Sequence, residues 1–157
     1  MLDQEPIKTQ VRTQAEDFSF DEEMKSLTVS RKDIGAVVGF VGLCRDEGGT
    51  LSALELEHYP SMAEAEIKRI GEQAIARFDL KGLKVIHRYG KILPGENIVL
   101  VIAASPHRQA AFGGANYMMD FLKTRAPFWK KEHLVDGQTG EWVDAKDLDD
   151  DALKRWD

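Results

Sequence analysis

The sequence predicts an α+β fold with mostly antiparallel sheets, and three observations point there. Several short segments are β-branched or alternate apolar with polar residues, two longer stretches carry helical periodicity, and the order along the chain is β-β-α-β-β-α. The 157 residues suffice for one domain, and with 43% hydrophobic and 31% charged residues a real core is expected. No tandem repeat, low-complexity tract or Pro/Ser linker divides the chain.

The first strand is Ile34 to Cys44, β-branched and bounded by charge; a DEGGT turn then leads to a second, in which Leu54, Leu56 and His58 alternate with Glu55 and Glu57. Ser61 with Glu64 three residues on reads as a capping box, followed by a helix whose buried face is Ala63, Ile67, Ile70, Ala74 and Phe78. Leu83 to Tyr89 and Ile98 to Ala104 are two further strands joined across the PGEN turn at Pro94 to Asn97. Ser105 as N-cap and Pro106 at the first helical position open the second helix, with Ala111, Ala115, Met118 and Leu122 as its stripe. Pro127 stops it, because the proline ring collides with the carbonyl four residues back.

Several function classes are excluded at this level. The longest apolar run, Ile34 to Cys44, falls short of the roughly 20 residues a membrane helix needs, and the first ten residues hold no apolar signal segment, so the cytoplasm is expected. One cysteine rules out an internal disulfide or a cysteine-cluster metal site, and the four histidines lack metal-ligand spacing, so no metal is expected. Gly35, Gly39 and Gly42 are followed by neither a helix nor a Walker lysine, which removes a phosphate loop.

A net charge of −6 argues against nucleic acid as a partner, yet the distribution is uneven. Acid concentrates at the ends, whereas from Pro106 to Lys131 the chain carries Arg108, Lys123, Arg125, Lys130 and Lys131 against the single acid Asp120. His107 and Arg108 fall in the first turn of the second helix, where free N–H groups attract anions such as phosphate. Phe128 and Trp129, set between cations, would anchor a basic loop and hold Lys123 and Lys130 in place, and crowding of cations makes a lysine a better base or nucleophile. Cys44, beside Arg45, reads as a buried small apolar residue and not as a nucleophile.

Arg108 and Lys123 lie fifteen residues apart on one helix, about 22 Å at 1.5 Å per residue. Either they serve separate sites, or two copies of the chain share one; a homodimer is the expectation favoured here.

The segments GFVGLCRDEGG (39 to 49), LELEHYPSMAEAEI (54 to 67), VIHRYGKILPGE (85 to 96), SPHRQAAF (105 to 112) and MDFLKTRAPFWKKE (119 to 132) together resemble the large, catalytic subunit of molybdopterin synthase. The likeness spans about 34 to 146, leaving 1–33 as an N-terminal extension and 147–157 as an acidic tail, and it implies a hammerhead-like fold. It implies an enzyme that inserts two sulfurs into cyclic pyranopterin monophosphate to make the dithiolene of molybdopterin, with no permanently bound cofactor. The implied partners are a small ubiquitin-like subunit whose C-terminal Gly-Gly thiocarboxylate donates the sulfur, and a second copy of the chain, in a heterotetramer. Carried onto this sequence, Lys123 and Lys130 take the catalytic positions, and Leu43, Cys44, Arg45, His107, Arg108, Lys131 and Glu132 the substrate-binding ones. Leu43 and Cys44 depart from the family's usual residues, so only their backbone contacts carry over; Lys146 stands where some relatives have arginine. The rival expectation is a non-catalytic module that binds a phosphometabolite or assists assembly.

Overall fold

The computed structural model describes residues 9–46, 48–125, 128–143 and 153–156. In chain order the elements are β1 (Gln10–Gln14), α1 (Phe20–Thr28), β2 (Ala36–Leu43), β3 (Leu51–His58), α2 (Pro60–Phe78), β4 (Gly82–Arg88), β5 (Gly90–Ile92), β6 (Asn97–Ser105), α3 (Arg108–Thr124) and β7 (Phe128–Leu134), with a closing 3-10 turn at Lys154–Trp156. They build two sheets, one ordered β1-β4-β6-β2 and the other β5-β3-β7. Among the described residues every strand pair is antiparallel except β1 with β4. The architecture is therefore the α+β fold expected, and α2 and α3 are its two expected helices.

The larger sheet is covered on both faces, which is why β4 and β6 read as nearly continuous apolar runs. Leu83, Val85, Val101 and Ala103 meet α2 and α3 through Ile67, Ile70, Ala74 and Met118. Alternation turns Ile86, Leu100 and Ile102 to the other face, against Leu27 of α1. The smaller sheet has its own core of Cys44, Leu56 and Ile92. No described helix is long and apolar enough to cross a membrane.

The stretch set apart as an N-terminal extension supplies β1 and α1. α1 is capped by the Ser19 hydroxyl, which accepts from the Glu22 N–H, and carries Asp21, Glu22 and Glu23 in its first turn, where the positive end of the helix dipole favours them. It is fastened underneath by Lys84, a buried β4 lysine whose Nζ donates to the Glu23 carbonyl at 3.1 Å and to the Ser26 hydroxyl.

Three local expectations are corrected. Ser61 and Glu64 form no capping box: α2 begins at Pro60, its N-cap is Tyr59 without a side-chain bond, and Glu64 Oε1 instead accepts from Thr13 N at 3.0 Å and Thr13 Oγ1 at 2.8 Å. Ser105 is the last residue of β6 and His107 is the N-cap of α3, because β6 stays paired with β2 as far as Ser105 opposite Ala36. Residues 128–134 are not a basic loop but the strand β7, antiparallel to β3. Ala126 and Pro127, to which the helix stop was assigned, lie outside the described residues; α3 itself ends at Thr124.

Glu64 thus ties the edge strand β1 to α2. Glu64→Ala is expected to lower unfolding free energy by about 1–3 kcal/mol, the cost of leaving its partners unsatisfied. Ser61→Ala, at an exposed position without a cap bond, stays within about 0.5 kcal/mol, both read from urea denaturation.

Candidate active site

Lys123 and Lys130, assigned together from sequence, come together in space. Lys123 is the exposed penultimate residue of α3; Lys130 is half-buried on β7, opposite Leu56 of β3. Both line one cavity whose apolar wall includes Leu56, Val99, Leu122 and Phe128, and whose remaining polar group is His87. Lys130 is held from both sides: β7 pairs with β3 on one edge, and Lys130 exchanges backbone hydrogen bonds with Val143 on the other at 3.0 and 2.8 Å.

Phe128 is the hinge pin of this arrangement. Its ring stacks on His87 with centroids 3.8 Å apart and on His58 at 5.2 Å, and His58 in turn lies 4.6 Å from Tyr89. The stack links β3 and β7 of the small sheet to β4 of the large one, and it closes the cavity floor under the two lysines.

His87 is the site residue that the sequence reading left among ordinary histidines. On β4 it shares a face with Leu83 and Val85, which belong to the core packed under α3. The period-two spacing of these three residues is the signal that could have found it. Burial pushes its imidazole down to about 4, with Lys123, Lys130 and His58 adding to the effect and the Nδ1 hydrogen bond to the Arg88 carbonyl, 2.9 Å, opposing it. The imidazole is therefore neutral at physiological pH, and the cavity's positive charge resides on the lysines.

The other assigned residues are placed as follows. His107 and Arg108 are exposed at the start of α3 and border a separate concavity with Gly35 and Pro106, at the far end of the helix from Lys123. A Cβ on Gly35 would lie 2.2 Å from the Pro106 carbonyl oxygen, so the chain entering β2 runs directly against the loop that opens α3. Leu43 ends β2 and is 53% exposed, and Arg45 follows it at the surface. Strand alternation parts the β7 pair: Glu132 falls on the same side as Lys130, whereas Lys131 projects to the opposite side, its Nζ 5.4 Å from the ring centre of Trp142.

Cys44 is buried, donates its backbone N–H to the Glu96 carbonyl at 2.8 Å, and packs with Leu56 and Ile92. Burial pushes its thiol up, reinforced by Asp46 and Glu96, so it is a protonated and poor nucleophile. Among the described residues no group of His, Cys, Asp or Glu could hold a metal ion. Lys146 lies outside the described residues.

The family model described as MoaE protein matches residues 13–125. The chain belongs to the MoaE protein family. A molybdopterin synthase catalytic subunit of Mesorhizobium japonicum is 66% identical over 146 residues, covering 93% of this chain and 92% of that one. Among solved structures, a molybdopterin biosynthesis MoaE protein from Burkholderia ambifaria superposes with a TM-score of 0.82 at 42% identity, over 94% of this chain and 97% of that one. A molybdopterin synthase structure from Staphylococcus aureus does so with 0.76 at 29% identity, over 84% and 95%. The family resemblance read from the LKTRAPFWK and EHYP segments is thereby established.

Two outcomes test the electrostatics of this MoaE-family site. A histidine depressed in the folded state contributes its full share to stability above its unfolded value of 6.5, and that share is lost as pH falls toward about 4. Between pH 7 and 4 the wild-type protein should lose roughly 3 kcal/mol more than His87→Gln, measured by urea denaturation across pH. Cys44→Ala should leave turnover within about two-fold of wild type, since a buried protonated thiol takes no part in sulfur transfer.

Proposed function

We propose that this chain is the catalytic subunit of a molybdopterin synthase, converting cyclic pyranopterin monophosphate to molybdopterin with sulfur from a thiocarboxylated small subunit. The observation that carries the reading is the meeting of Lys123 and Lys130, from a helix end and a strand, at one cavity with apolar walls and a neutral histidine. Family membership and relatives named as catalytic subunits support it.

In each of two transfers the partner's thiocarboxylate sulfur forms a C–S bond to the pterin side chain as a C–O bond there breaks, and water then cleaves the acyl C–S bond, leaving the small subunit with a terminal carboxylate. Lys123, at the mouth of the cavity, contacts the reacting centre. Lys130 offsets the negative charge that develops during transfer, an effect that grows where apolar walls exclude water. The phosphate of the precursor binds His107 and Arg108 of a second copy, since the two ends of α3 cannot hold one small ligand within a single chain. Leu43 and Arg45 supply backbone and guanidinium contacts to the substrate and Glu132 completes the site beside Lys130, whereas Cys44, its N–H and carbonyl engaged by Glu96 and Gly95, and Lys131, on the opposite face of β7, stand outside it. The reaction takes place in the cytoplasm and uses no permanently bound cofactor.

Lys123→Ala should lower conversion about 100-fold or more while the small subunit still binds, assayed with precursor and thiocarboxylated partner. Equal loss of binding and turnover would favour the non-catalytic anion-binding module. Arg108→Ala should weaken precursor binding, and mixing it with Lys123→Ala should restore part of the activity, because a mixed dimer keeps one intact shared site. Absence of such complementation sinks the shared site.

A further inference from the structure

The catalytic reading uses the two lysines and leaves unexplained why a polar, ionisable ring forms the wall between them. An apolar residue would fill that buried place at lower cost, because burying an imidazole sacrifices its hydration. His87 is nonetheless buried on β4, at the same cavity as Lys123 and Lys130.

Its geometry leaves little freedom. A backbone carbonyl can only accept, so Nδ1, 2.9 Å from the Arg88 oxygen, carries the proton and donates. In the neutral ring Nε2 is then a bare acceptor. The face-to-face contact with Phe128, 3.8 Å between centroids and 18° between planes, fixes the ring plane and with it the direction of the Nε2 lone pair. Among the described residues nothing donates to Nε2.

Among the described residues the groups acting on the ring are cationic or neutral: Lys123 on α3, Lys130 on β7, and His58 on β3 beyond Phe128. Glu64 of α2 acts on His58. With no described carboxylate acting on it, the buried imidazole is kept from taking a proton and stays an acceptor. Lys123 and Lys130 line the same cavity as the ring, Lys130 held within β7 and Lys123 at the end of α3. Lys123 is also exposed at the end of its helix, so its long side chain needs an acceptor if it is to be held over the cavity instead of in water.

We propose that His87 is a positioning residue for the reaction: its Nε2 lone pair, without a donor among the described residues, accepts a hydrogen bond from the Lys123 ammonium when that exposed side chain turns in over the cavity they both line, and holds it there. The inference rests on the catalytic reading of Lys123. It goes beyond that reading by assigning a role to a residue outside the lysine pair.

The experiment has a spectroscopic and a kinetic arm. In 15N-histidine-labelled protein at neutral pH, Lys123→Ala should move the His87 Nε2 resonance downfield, as an acceptor nitrogen loses its donor, while Nδ1 stays in place. Because Lys123 is exposed, that variant folds. In the kinetic arm, His87→Asn keeps a donor for the Arg88 carbonyl but has no acceptor at the Nε2 position. It should lower kcat about ten-fold or more with KM within about two-fold, and His87→Gln, which can place an amide oxygen there, should recover a good part of the loss. An Nε2 resonance unaffected by Lys123→Ala overturns the proposal, as does a wild-type kcat in His87→Asn. Should His87→Asn not fold, the spectroscopic pair decides alone. A wild-type chain that does not turn over with its partner removes the catalytic reading and this inference together; an active wild type with an unmoved resonance removes this inference only.

Discussion

Phe128 between two imidazoles is the contact on which the site depends. The chain leaves α3 at Thr124 and is already paired with β3 at Phe128, so helix end and strand start are separated by only a few residues. With both elements fixed, Phe128 enters the space between His58 and His87 and buries its ring there. A fully buried aromatic side chain is worth about 1.5–3 kcal/mol of transfer free energy, and here the same burial sets the register of β7 against β3. Register decides function, because a slip of one residue would turn Lys130 away from the cavity and bring Lys131 in.

The small sheet gains further support from charge pairing across its strands. Lys131 stands opposite Glu55, and His133 Nε2 bonds Glu55 Oε1 at 2.8 Å. The apolar side of β3, Leu54 and Leu56, turns inward beneath Lys130 and lines the cavity. One strand thus supplies acid to its outer face and hydrocarbon to its inner face. The side of β3 that faces the lysines is consequently hydrocarbon and carries no carboxylate of that strand.

Much of this was legible in the sequence, and the failures share a cause. The four strands with β-branched or alternating composition and the two helices with apolar stripes were readable because burial on a fixed face imposes a period. β7 was not, since FWKKEHL mixes aromatics with four ionisable groups and derives its order from pairing with Glu55 and Glu57, fully seventy residues away. β1, short and polar, is ordered by its parallel neighbour β4 and by Glu64; the same carboxylate that suggested a capping box was claimed by Thr13. For the site, lysines clustered in one segment could be found by counting charge. For His87 the period-two spacing with Leu83 and Val85 marks only a core-facing position; what makes it a site residue is the stack and the nearby cations, contributed by strands and a helix distant along the chain.

The remaining step concerns α3 as a spacer. A helix of seventeen residues is about 25 Å long, and its rigidity keeps His107 and Arg108 at one end and Lys123 at the other. Its packing leaves no room to shorten that distance: Ala111, Ala115 and Met118 are locked into the core, and Asp120 is gripped by the Trp156 indole and by Arg155, whose Nε lies 3.2 Å from it. A phosphate-bearing ligand much smaller than 25 Å therefore cannot bridge both ends in one chain. If the first turn of α3 and the lysine cavity act on the same molecule, they must come from different copies, and the exposure of His107 and Arg108 leaves them accessible to such a neighbour. On that geometry the helix that divides the functional residues within one chain is also what obliges two chains to combine them.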